Sequence, residues 1–232
     1  MRRSQRGKRR GKICIPVVET SLRRALRAIQ EVSALADLIE LRVDYLERPD
    51  MFTLLDGRQK PFIVTNRRNG EGGRYHGDEK SRLSILKEAI DLGADYVDVE
   101  IRSKRSFLRA LMGTKKETQV ILSYHDFRVS PSPKELQRIC NAMIGLEPEI
   151  VKVVTYARSW EDNLAILSLI PYAQKRDQKI IAFCMGEKGK VSRVLAAFMG
   201  SLWTYAPCRE GRASAPGQLT VKRIEKLWSM LR

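Results

Sequence analysis

Strand-like and helix-like patterns alternate eight times along this chain, and this alternation limits its possible folds more than any other feature. The strand patterns are short, apolar and rich in β-branched residues, which is typical of strands buried in an α/β protein. We place these strands at 12–18, 37–46, 61–68, 95–101, 118–127, 150–157, 179–186 and 201–207. Each is followed by a helical pattern, at about 20–36, 50–56, 80–92, 104–112, 133–145, 160–176, 190–199 and 220–231.

Eight βα units in about 220 residues predict an α/β fold of the (β/α)8 TIM-barrel type. A doubly wound sheet is the alternative. Segment 47–60 leaves room for only a short second helix, and Pro133 directly after Ser132 marks the start of the fifth. No linker divides the chain, so we expect residues 12–232 to form one catalytic domain.

The basic charge of the chain is unevenly distributed. The formal net charge is +16, and six positive charges lie within residues 1–11, which contain no apolar anchor. Such a segment cannot bury enough surface to fold, so we predict a disordered basic tail at 1–11. The remaining +10 is spread through helical patterns and forms no basic stripe interleaved with aromatic residues. We expect no specific nucleic-acid partner, although charge alone predicts weak binding to polyanions.

The residue types that bind transition metals are sparse and scattered. The chain has two histidines, and its four cysteines include no CxxC pair, so we expect no metal site. The apolar runs are too short to span a bilayer and no hydrophobic signal segment is present, which predicts no membrane partner. The simplest interpretation is a reduced, cytoplasmic protein with buried free thiols. These are Cys14, Cys140, Cys184 and Cys208.

Lys152 interrupts the apolar run 149–157. A buried ammonium group loses its hydration, and a neutral amine in a pocket is a nucleophile suited to forming a Schiff base with a ketone. A lysine within a strand is more often an edge residue or the partner of a buried carboxylate. Considered alone, Lys152 therefore favours a structural role.

Strand parity places further charged residues on the same side as Lys152, because alternate side chains of a strand point to opposite faces. In a barrel covered by helices, this polar face must be the interior, near the carboxyl ends of the strands. The charged residues are Glu40, Arg42, Asp44, Arg67, Asp98, Glu100, His125 and Lys152. Burying so many charges is poor for stability, so they indicate an active site, within which we expect Glu40 to pair with Arg42 or Arg67.

Three loops are predicted to surround this end of the barrel. Residues 69–77 are glycine-rich and polar, as a mobile lid would be, and His76 is expected at the surface of that lid. Residues 185–193 connect the seventh strand to a helix and bring Arg193 near its start. Residues 213–218, Ala-Ser-Ala-Pro-Gly-Gln, connect the last strand to the last helix.

Together these segments resemble the type I 3-dehydroquinate dehydratases, the Schiff-base enzymes of the shikimate pathway. The matching segments are Glu40-Leu-Arg-Val-Asp44, Arg67 with Glu71-Gly-Gly73, Ser123-Tyr-His-Asp-Phe127, the strand around Lys152, Met185-Gly with Ser192-Arg193, and Ser214-Ala-Pro-Gly-Gln218. They occur in the family's order across residues 12–231. The resemblance implies a cytoplasmic homodimeric hydro-lyase that converts 3-dehydroquinate to 3-dehydroshikimate without a cofactor.

The resemblance also implies roles for individual residues. It assigns the Schiff base to Lys152 and general acid/base catalysis to His125. The implied substrate-binding residues are Glu40, Arg42, Arg67, Arg193, Ser214 and Gln218. The implied supporting residues are Glu71, Asp98 and Glu100, although an exposed loop glutamate is an alternative for Glu71.

This chain departs from the family pattern in two places. The 47–60 connection is shorter than in many bacterial members, and the basic tail stands where those members often carry an N-terminal hairpin. Both departures concern oligomer contacts and closure of the barrel bottom. Two other functions remain open from the residues: a class I aldolase-type barrel acting on phosphorylated sugars, and an inactive basic barrel that binds polyanions.

Overall fold

The structure, a computed structural model, describes residues 11–231. Eight parallel strands form one sheet in the order β7-β6-β5-β4-β3-β2-β1-β8. The strands are β1 Lys12–Val17, β2 Leu38–Arg42, β3 Phe62–Thr65, β4 Tyr96–Glu100, β5 Gln119–His125, β6 Ile150–Tyr156, β7 Lys179–Met185 and β8 Trp203–Tyr205. The sheet curls until its edges nearly meet, where the Leu202 amide donates to the Ile180 carbonyl at 3.0 Å. The predicted single-domain (β/α)8 barrel is confirmed.

A helix follows every strand. The helices are α1 Leu22–Ser33, α2 Met51–Leu55, α3 Glu79–Asp91, α4 Arg105–Gly113, α5 Pro133–Ile144, α6 Glu161–Gln174, α7 Lys190–Leu195 and α8 Val221–Met230. The second helix has five residues, as segment 47–60 predicted. Pro133 begins α5, and the Ser132 hydroxyl accepts from the Glu135 amide at 3.3 Å.

The second strand is shorter than predicted. Apolar and charged residues alternate across 37–46, but β2 ends at Arg42 and a 3-10 turn, Val43–Tyr45, follows. The turn carries Asp44 back toward Arg42, where the two side chains form two hydrogen bonds of 2.8 and 2.9 Å. This local ion pair ends the extended segment earlier than the pattern indicates.

The lower part of the barrel interior is apolar. Inward-facing residues of seven strands form one cluster there, with Cys14, Leu38, Ile63, Ile121, Ile150, Ile181 and Trp203 among its members. The rings of Tyr96 and Trp203 meet edge-on with their centres 5.5 Å apart, near the N-terminal ends of β4 and β8. This floor closes the barrel below Lys152, so the polar residues are accessible from the carboxyl ends of the strands.

Gly11, predicted to belong to the basic tail, packs against the barrel. A Cβ at this position would lie 2.6 Å from the Ala197 Cβ and 2.8 Å from the Trp228 ring. Trp228 is itself fixed by a 3.0 Å hydrogen bond from its indole nitrogen to the Val194 carbonyl. The other residues of the predicted tail, 1–10, lie outside the described residues.

Candidate active site

A cavity of about 440 Å³, counted to its open mouth, lies at the carboxyl ends of the strands. Nine of the eleven residues predicted for the site line it. These are Glu40, Arg42, Arg67, Glu71, His125, Lys152, Arg193, Ser214 and Gln218. The other two, Asp98 and Glu100, are fully buried behind Arg67. The barrel thus brings together residues that are up to 178 positions apart, from Glu40 to Gln218.

Lys152 extends from the middle of β6 into this cavity and is 4% exposed. Its Nζ donates to Asp98 Oδ2 at 2.9 Å and lies 3.7 Å from Glu40 Oε1. The hydroxyl of Tyr205 lies 3.1 Å from the same nitrogen. Three polar groups on three strands therefore hold this amine at one position.

Asp98 is the centre of a fully buried hydrogen-bond network. Its Oδ1 lies 2.9 Å from Arg67 Nη2 and accepts from the Ser123 hydroxyl at 2.7 Å. Burial raises the pKa of Asp98, but the adjacent Arg67 and Lys152 cations outweigh it and hold that pKa well below its ordinary value. Asp98 therefore stays ionised, and two cations share one carboxylate.

The partners of Glu40 differ from those predicted. Strand parity correctly turns Glu40 and Arg42 inward, but Arg42 pairs with Asp44. Glu40 Oε1 instead accepts from the Thr65 hydroxyl at 2.9 Å and faces Lys152. The 3-10 turn that positions Asp44 causes this difference, because it saturates one edge of the Arg42 guanidinium.

His125 ends β5 and faces Glu71, with its Nδ1 3.8 Å from Glu71 Oε2. Glu71 is 2% exposed, so the alternative of an exposed loop glutamate is wrong. Burial, together with the Arg67 and Lys152 cations, lowers the pKa of His125 well below 6.5. Burial raises the pKa of Glu71 to about 7, although Arg67 opposes the shift. The imidazole is therefore neutral near pH 7 and able to accept a proton.

The loop predicted as a lid covers one side of the cavity. Its 3-10 turn, Asn69–Glu71, ends at Gly72, where φ is +76° and a Cβ would lie 2.2 Å from the Phe127 ring. The Gly72 carbonyl accepts from Arg42 at 3.4 Å. His76 is exposed, as predicted. Glycine is required at position 72 for both its conformation and its contact with Phe127.

Arg193, from α7, presents unpaired donors to the cavity. It is 1% exposed and its ring contact is with Phe183, 4.6 Å from the guanidinium carbon to the ring centre. Its Nη2 donates to the Pro216 carbonyl at 3.3 Å, whereas Nε and Nη1 are buried without a partner among residues 11–231. Burial lowers the pKa of Arg193 to about 10. Unpaired buried guanidinium donors indicate a site for an anion that arrives with the ligand.

Ser214 and Gln218 lie beside Arg193 in the loop between β8 and α8. The Gln218 amide oxygen accepts from the Ser214 backbone amide at 2.8 Å, and its nitrogen donates to the Ser214 hydroxyl at 3.0 Å. These two contacts close a small ring within the loop. Both side chains line the cavity and can add neutral donors to an anion held by Arg193.

Arg82 is a buried charge that sequence reasoning missed. It belongs to α3, outside the barrel, yet it is 0% exposed. Its Nη1 lies 2.5 Å from Glu100 Oε2, while Glu100 Oε1 accepts from Arg67 at 2.9 Å. The Ser103 hydroxyl accepts from Arg82 Nη2 at 2.6 Å. Ion pairs thus connect a surface helix to Arg67. The sequence does not show that an arginine in a helical pattern is buried, so Arg82 could not be predicted as part of this network.

The remaining lining residues are apolar or aromatic and were also missed. They are Gly72, Phe127, Val154, Phe183, Met185, Tyr205 and Ala215. Strand parity could have indicated Phe183 and Met185, because they alternate along β7. Their chemistry alone gave no reason to separate them from other core residues.

Metal and membrane features are lacking in the part of the chain that the structure describes. Within residues 11–231, no group of three or more histidine, cysteine or acidic side chains is placed to hold a metal ion. Over the same residues, no helix is both long and apolar enough to cross a bilayer.

The fold and cavity together define a TIM-barrel enzyme with a buried lysine and a buried arginine that keeps unpaired donors at the cavity. The sequence model described as Type I 3-dehydroquinase matches residues 13–232. The chain therefore belongs to the type I 3-dehydroquinase family, as the resemblance predicted. Its activity is that of a 3-dehydroquinate dehydratase, a hydro-lyase of the shikimate pathway.

Individual relatives agree with this assignment. A 3-dehydroquinate dehydratase of Methanocaldococcus jannaschii is 36% identical over 94% of this chain and 98% of its own length. A second 3-dehydroquinate dehydratase, from Desulfotalea psychrophila, is 34% identical over 94% of this chain and 97% of its own length. The crystal structure of the Clostridium difficile type I enzyme, with covalently modified comenic acid, is 27% identical and covers 97% of this chain and 93% of that chain, with a TM-score of 0.86. A 3-hexulose-6-phosphate synthase structure is similar in fold alone. It is 13% identical, the match covers 94% of this chain and 98% of that chain, and the TM-score is 0.56.

Proposed function

We propose that this enzyme dehydrates 3-dehydroquinate through a Schiff base between Lys152 and the C3 ketone. The observation that carries the proposal is the position of Lys152. It is the one lysine among the residues that line the described cavity, and its Nζ is held between two carboxylates, Asp98 and Glu40. A carbonyl carbon above this nitrogen would be within reach of attack, while the carboxylates would stabilise the cationic imine that results.

The chemistry proceeds through the imine. The Lys152 ammonium releases one proton, and its free amine attacks C3 to give a carbinolamine. The released proton returns to the carbinolamine hydroxyl, which leaves as water and gives a protonated imine. This cation withdraws electrons, so the C2 proton becomes acidic and His125 accepts it. The imidazolium then donates its proton to the C1 hydroxyl, which leaves as water. Hydrolysis of the imine releases 3-dehydroshikimate and restores Lys152.

Glu71 is proposed to orient His125 for these two proton transfers. The low pKa of His125 supports its role as the base, since a neutral imidazole is available near pH 7. Glu71 faces Nδ1 of His125 at 3.8 Å, and its buried carboxyl also accepts from the His125 backbone amide at 3.4 Å. The carboxylate lies on the Nδ1 side of the ring without a hydrogen bond to it, so we propose that the other nitrogen, Nε2, exchanges the protons with the substrate.

Arg193 is proposed to bind the substrate carboxylate. Its Nε and Nη1 are buried without a partner among residues 11–231, so both have N–H donors free for the oxygens of a carboxylate. Ser214 and Gln218 would exchange their mutual hydrogen bond for contacts with the substrate. An incoming anion would also restore the charge balance of the buried guanidinium.

The other charged residues are proposed to place the ring of the substrate. Glu40, Arg42 and Arg67 line the cavity on the side of β2 and β3, where they can bind ring hydroxyls. Asp98 and Glu100 are supporting residues, because their contacts fix Lys152 and Arg67. Substrate orientation then follows from Arg193 at one end of the ring and Lys152 at the other.

Trapping the imine tests the mechanism. Incubation with 3-dehydroquinate and borohydride should reduce the imine and leave a stable adduct on Lys152, to be located by intact-mass and peptide analysis. Lys152→Ala should form no adduct and lose dehydration. Lys188→Ala is the matched control, because Lys188 is exposed and lies outside the cavity lining. An adduct on another lysine would disprove the assignment.

We also propose a homodimer, a cytoplasmic location and a catalytic domain of residues 12–232. The four cysteines are free, which agrees with a reducing compartment. The dimer follows from the resemblance to the family. Sedimentation equilibrium would contradict it by returning the mass of a single 26.6 kDa chain.

A further inference from the structure

Tyr205 contacts the nitrogen at which the proposed reaction starts. Its hydroxyl lies 3.1 Å from Lys152 Nζ, and the same nitrogen lies 4.2 Å from the centre of its ring. Tyr205 lines the cavity and is 4% exposed. The phenol therefore lies at the boundary between the lysine and the space that the substrate would occupy.

The position of this hydroxyl is fixed by packing. Tyr205 is at the end of β8, where Cys14 pairs with it in register, and its ring contacts that of Phe183 with the centres 6.1 Å apart. Burial, together with the Glu40 carboxylate, raises the pKa of Tyr205 well above 10. The phenol is therefore neutral and can donate one proton while it accepts another.

Asp98, the other hydrogen-bond partner of Lys152 Nζ, cannot supply a proton. Asp98 is an ionised carboxylate that already accepts from Ser123 and pairs with Arg67. Among the described residues, the hydrogen-bond partners of Lys152 Nζ are Asp98 and Tyr205. Of these two groups, only the phenol carries a proton that it can transfer.

We infer that Tyr205 is a further catalytic residue, which passes a proton from nitrogen to oxygen while the Schiff base forms. This inference rests on the proposed role of Lys152. When the amine attacks, an N–C bond forms and the carbonyl electron pair moves to oxygen, leaving a cationic nitrogen and an oxyanion. The phenol gives its proton to the oxyanion and receives one from the nitrogen. The products are a neutral carbinolamine and a restored phenol.

The geometry suits such a transfer. In the carbinolamine, nitrogen and oxygen are bonded to the same carbon, so a hydroxyl that hydrogen-bonds to one can also reach the other. The six-membered ring for the transfer consists of that carbon, the nitrogen, the carbinolamine oxygen, the phenol oxygen and the two moving protons. No net charge develops on the tyrosine. The same exchange in reverse assists hydrolysis of the imine, so Tyr205 would act in the first and last stages of turnover.

Tyr205→Phe tests the inference, since it removes the hydroxyl and keeps the ring beside Lys152. The measurement is the rate at which borohydride traps the adduct at saturating 3-dehydroquinate, followed by mass spectrometry after rapid mixing. We expect this rate to fall by about 10²- to 10⁴-fold, as for loss of a general acid–base group. Tyr172→Phe is the matched control, because its hydroxyl contacts Asn141 on the outer helices; it should trap at the wild-type rate.

Three outcomes decide the matter. A wild-type trapping rate in Tyr205→Phe overturns the inference. A raised KM with an unchanged trapping rate at saturating 3-dehydroquinate also overturns it, because the hydroxyl would then only bind substrate. Absence of a Lys152 adduct in the wild-type enzyme refutes the proposed function instead. If Tyr205→Phe does not fold, 3-fluorotyrosine at position 205 lowers the pKa of the phenol at nearly constant volume, and an unchanged trapping rate then counts against the inference.

Discussion

At the scale of single residues, the site depends on environments that change the protonation of ordinary side chains. His125 is buried next to Arg67 and Lys152, and all three effects disfavour the imidazolium. Glu71 is buried with its pKa raised to about 7, so a large fraction of it is protonated near neutral pH. A neutral imidazole beside a partly protonated carboxyl agrees with the proposed role of His125 as the group that accepts the C2 proton.

The first prediction concerns the titration of His125. Because its folded pKa is below 6.5, its imidazole should stay neutral as pH is lowered through 6.5, and NMR of the two histidines should show no His125 transition there. His76→Gln assigns the signals, since the chain has only these two. A His125 transition at or above pH 6.5 would contradict the expectation.

The same shift determines how His125 affects stability. The unfolded histidine binds a proton below about pH 6.5, whereas the folded one does not until the pH is well below that value. The unfolded state therefore binds more protons, and His125 destabilises the fold as pH falls from about 6.5 toward the folded pKa. Glu71 acts in the opposite direction. The stability that it contributes is fully present below pH 4.5 and is lost as pH rises through its folded pKa of about 7.

At the scale of secondary structure elements, α3 supports the site from outside the barrel. Arg82 reaches from this helix to Glu100 at the end of β4, and Glu100 in turn holds Arg67. Besides its apolar contacts, this helix therefore supplies a cation to a buried carboxylate beside the candidate active site.

The second prediction follows from this ion pair. Arg82→Met leaves Glu100 with one fewer cation in a fully buried position, so the free energy of unfolding should fall by about 3–5 kcal/mol, as when one partner of a buried pair is removed. Arg109→Met, at an exposed site on α4, should change it by less than about 0.5 kcal/mol. Urea unfolding provides both values.

A double variant checks the cause. Adding Glu100→Gln to Arg82→Met removes the unpaired charge, so part of the lost stability should return. Strictly additive losses in the double variant would show that Arg82 stabilises the protein through packing, for example against Phe107, rather than through its charge.

At the scale of the whole molecule, the barrel is divided into an apolar floor and a polar mouth. Trp203 belongs to the floor, two residues before Tyr205 on the same face of β8. The floor supplies the buried apolar area, and the mouth carries the charges that would otherwise weaken the core. Separating the two layers lets one barrel contain both.

The third prediction tests the floor. Trp203→Ala should leave a cavity and lower the free energy of unfolding by about 3–5 kcal/mol. Trp160→Ala removes the same side chain where it is 60% exposed, compared with 3% for Trp203, and should change stability by less than about 0.5 kcal/mol. Equal losses in the two variants, measured by chemical denaturation, would refute the floor as a main source of stability.

Much of this protein could be predicted because the relevant signals are local. Eight alternations of period and composition predict the barrel, and strand parity predicts that Glu40, Arg67, His125 and Lys152 face one volume. Parity depends only on the position of a residue within its own strand. The ends of β2, β3 and β8 were predicted less well, because turns and contacts with neighbouring strands decide where a strand ends.

The sequence by itself therefore determined the barrel and the set of charged residues that point into it. Tertiary structure alone decided which of them meet across the barrel: Thr65 and Lys152 with Glu40, and Arg82 with Glu100. It also placed Tyr205 against Lys152, from strands that are not adjacent in the sheet. The physical reason is distance, because a hydrogen bond or an ion pair requires atoms within about 3–4 Å, and only the closed barrel sets such distances between residues far apart in the chain.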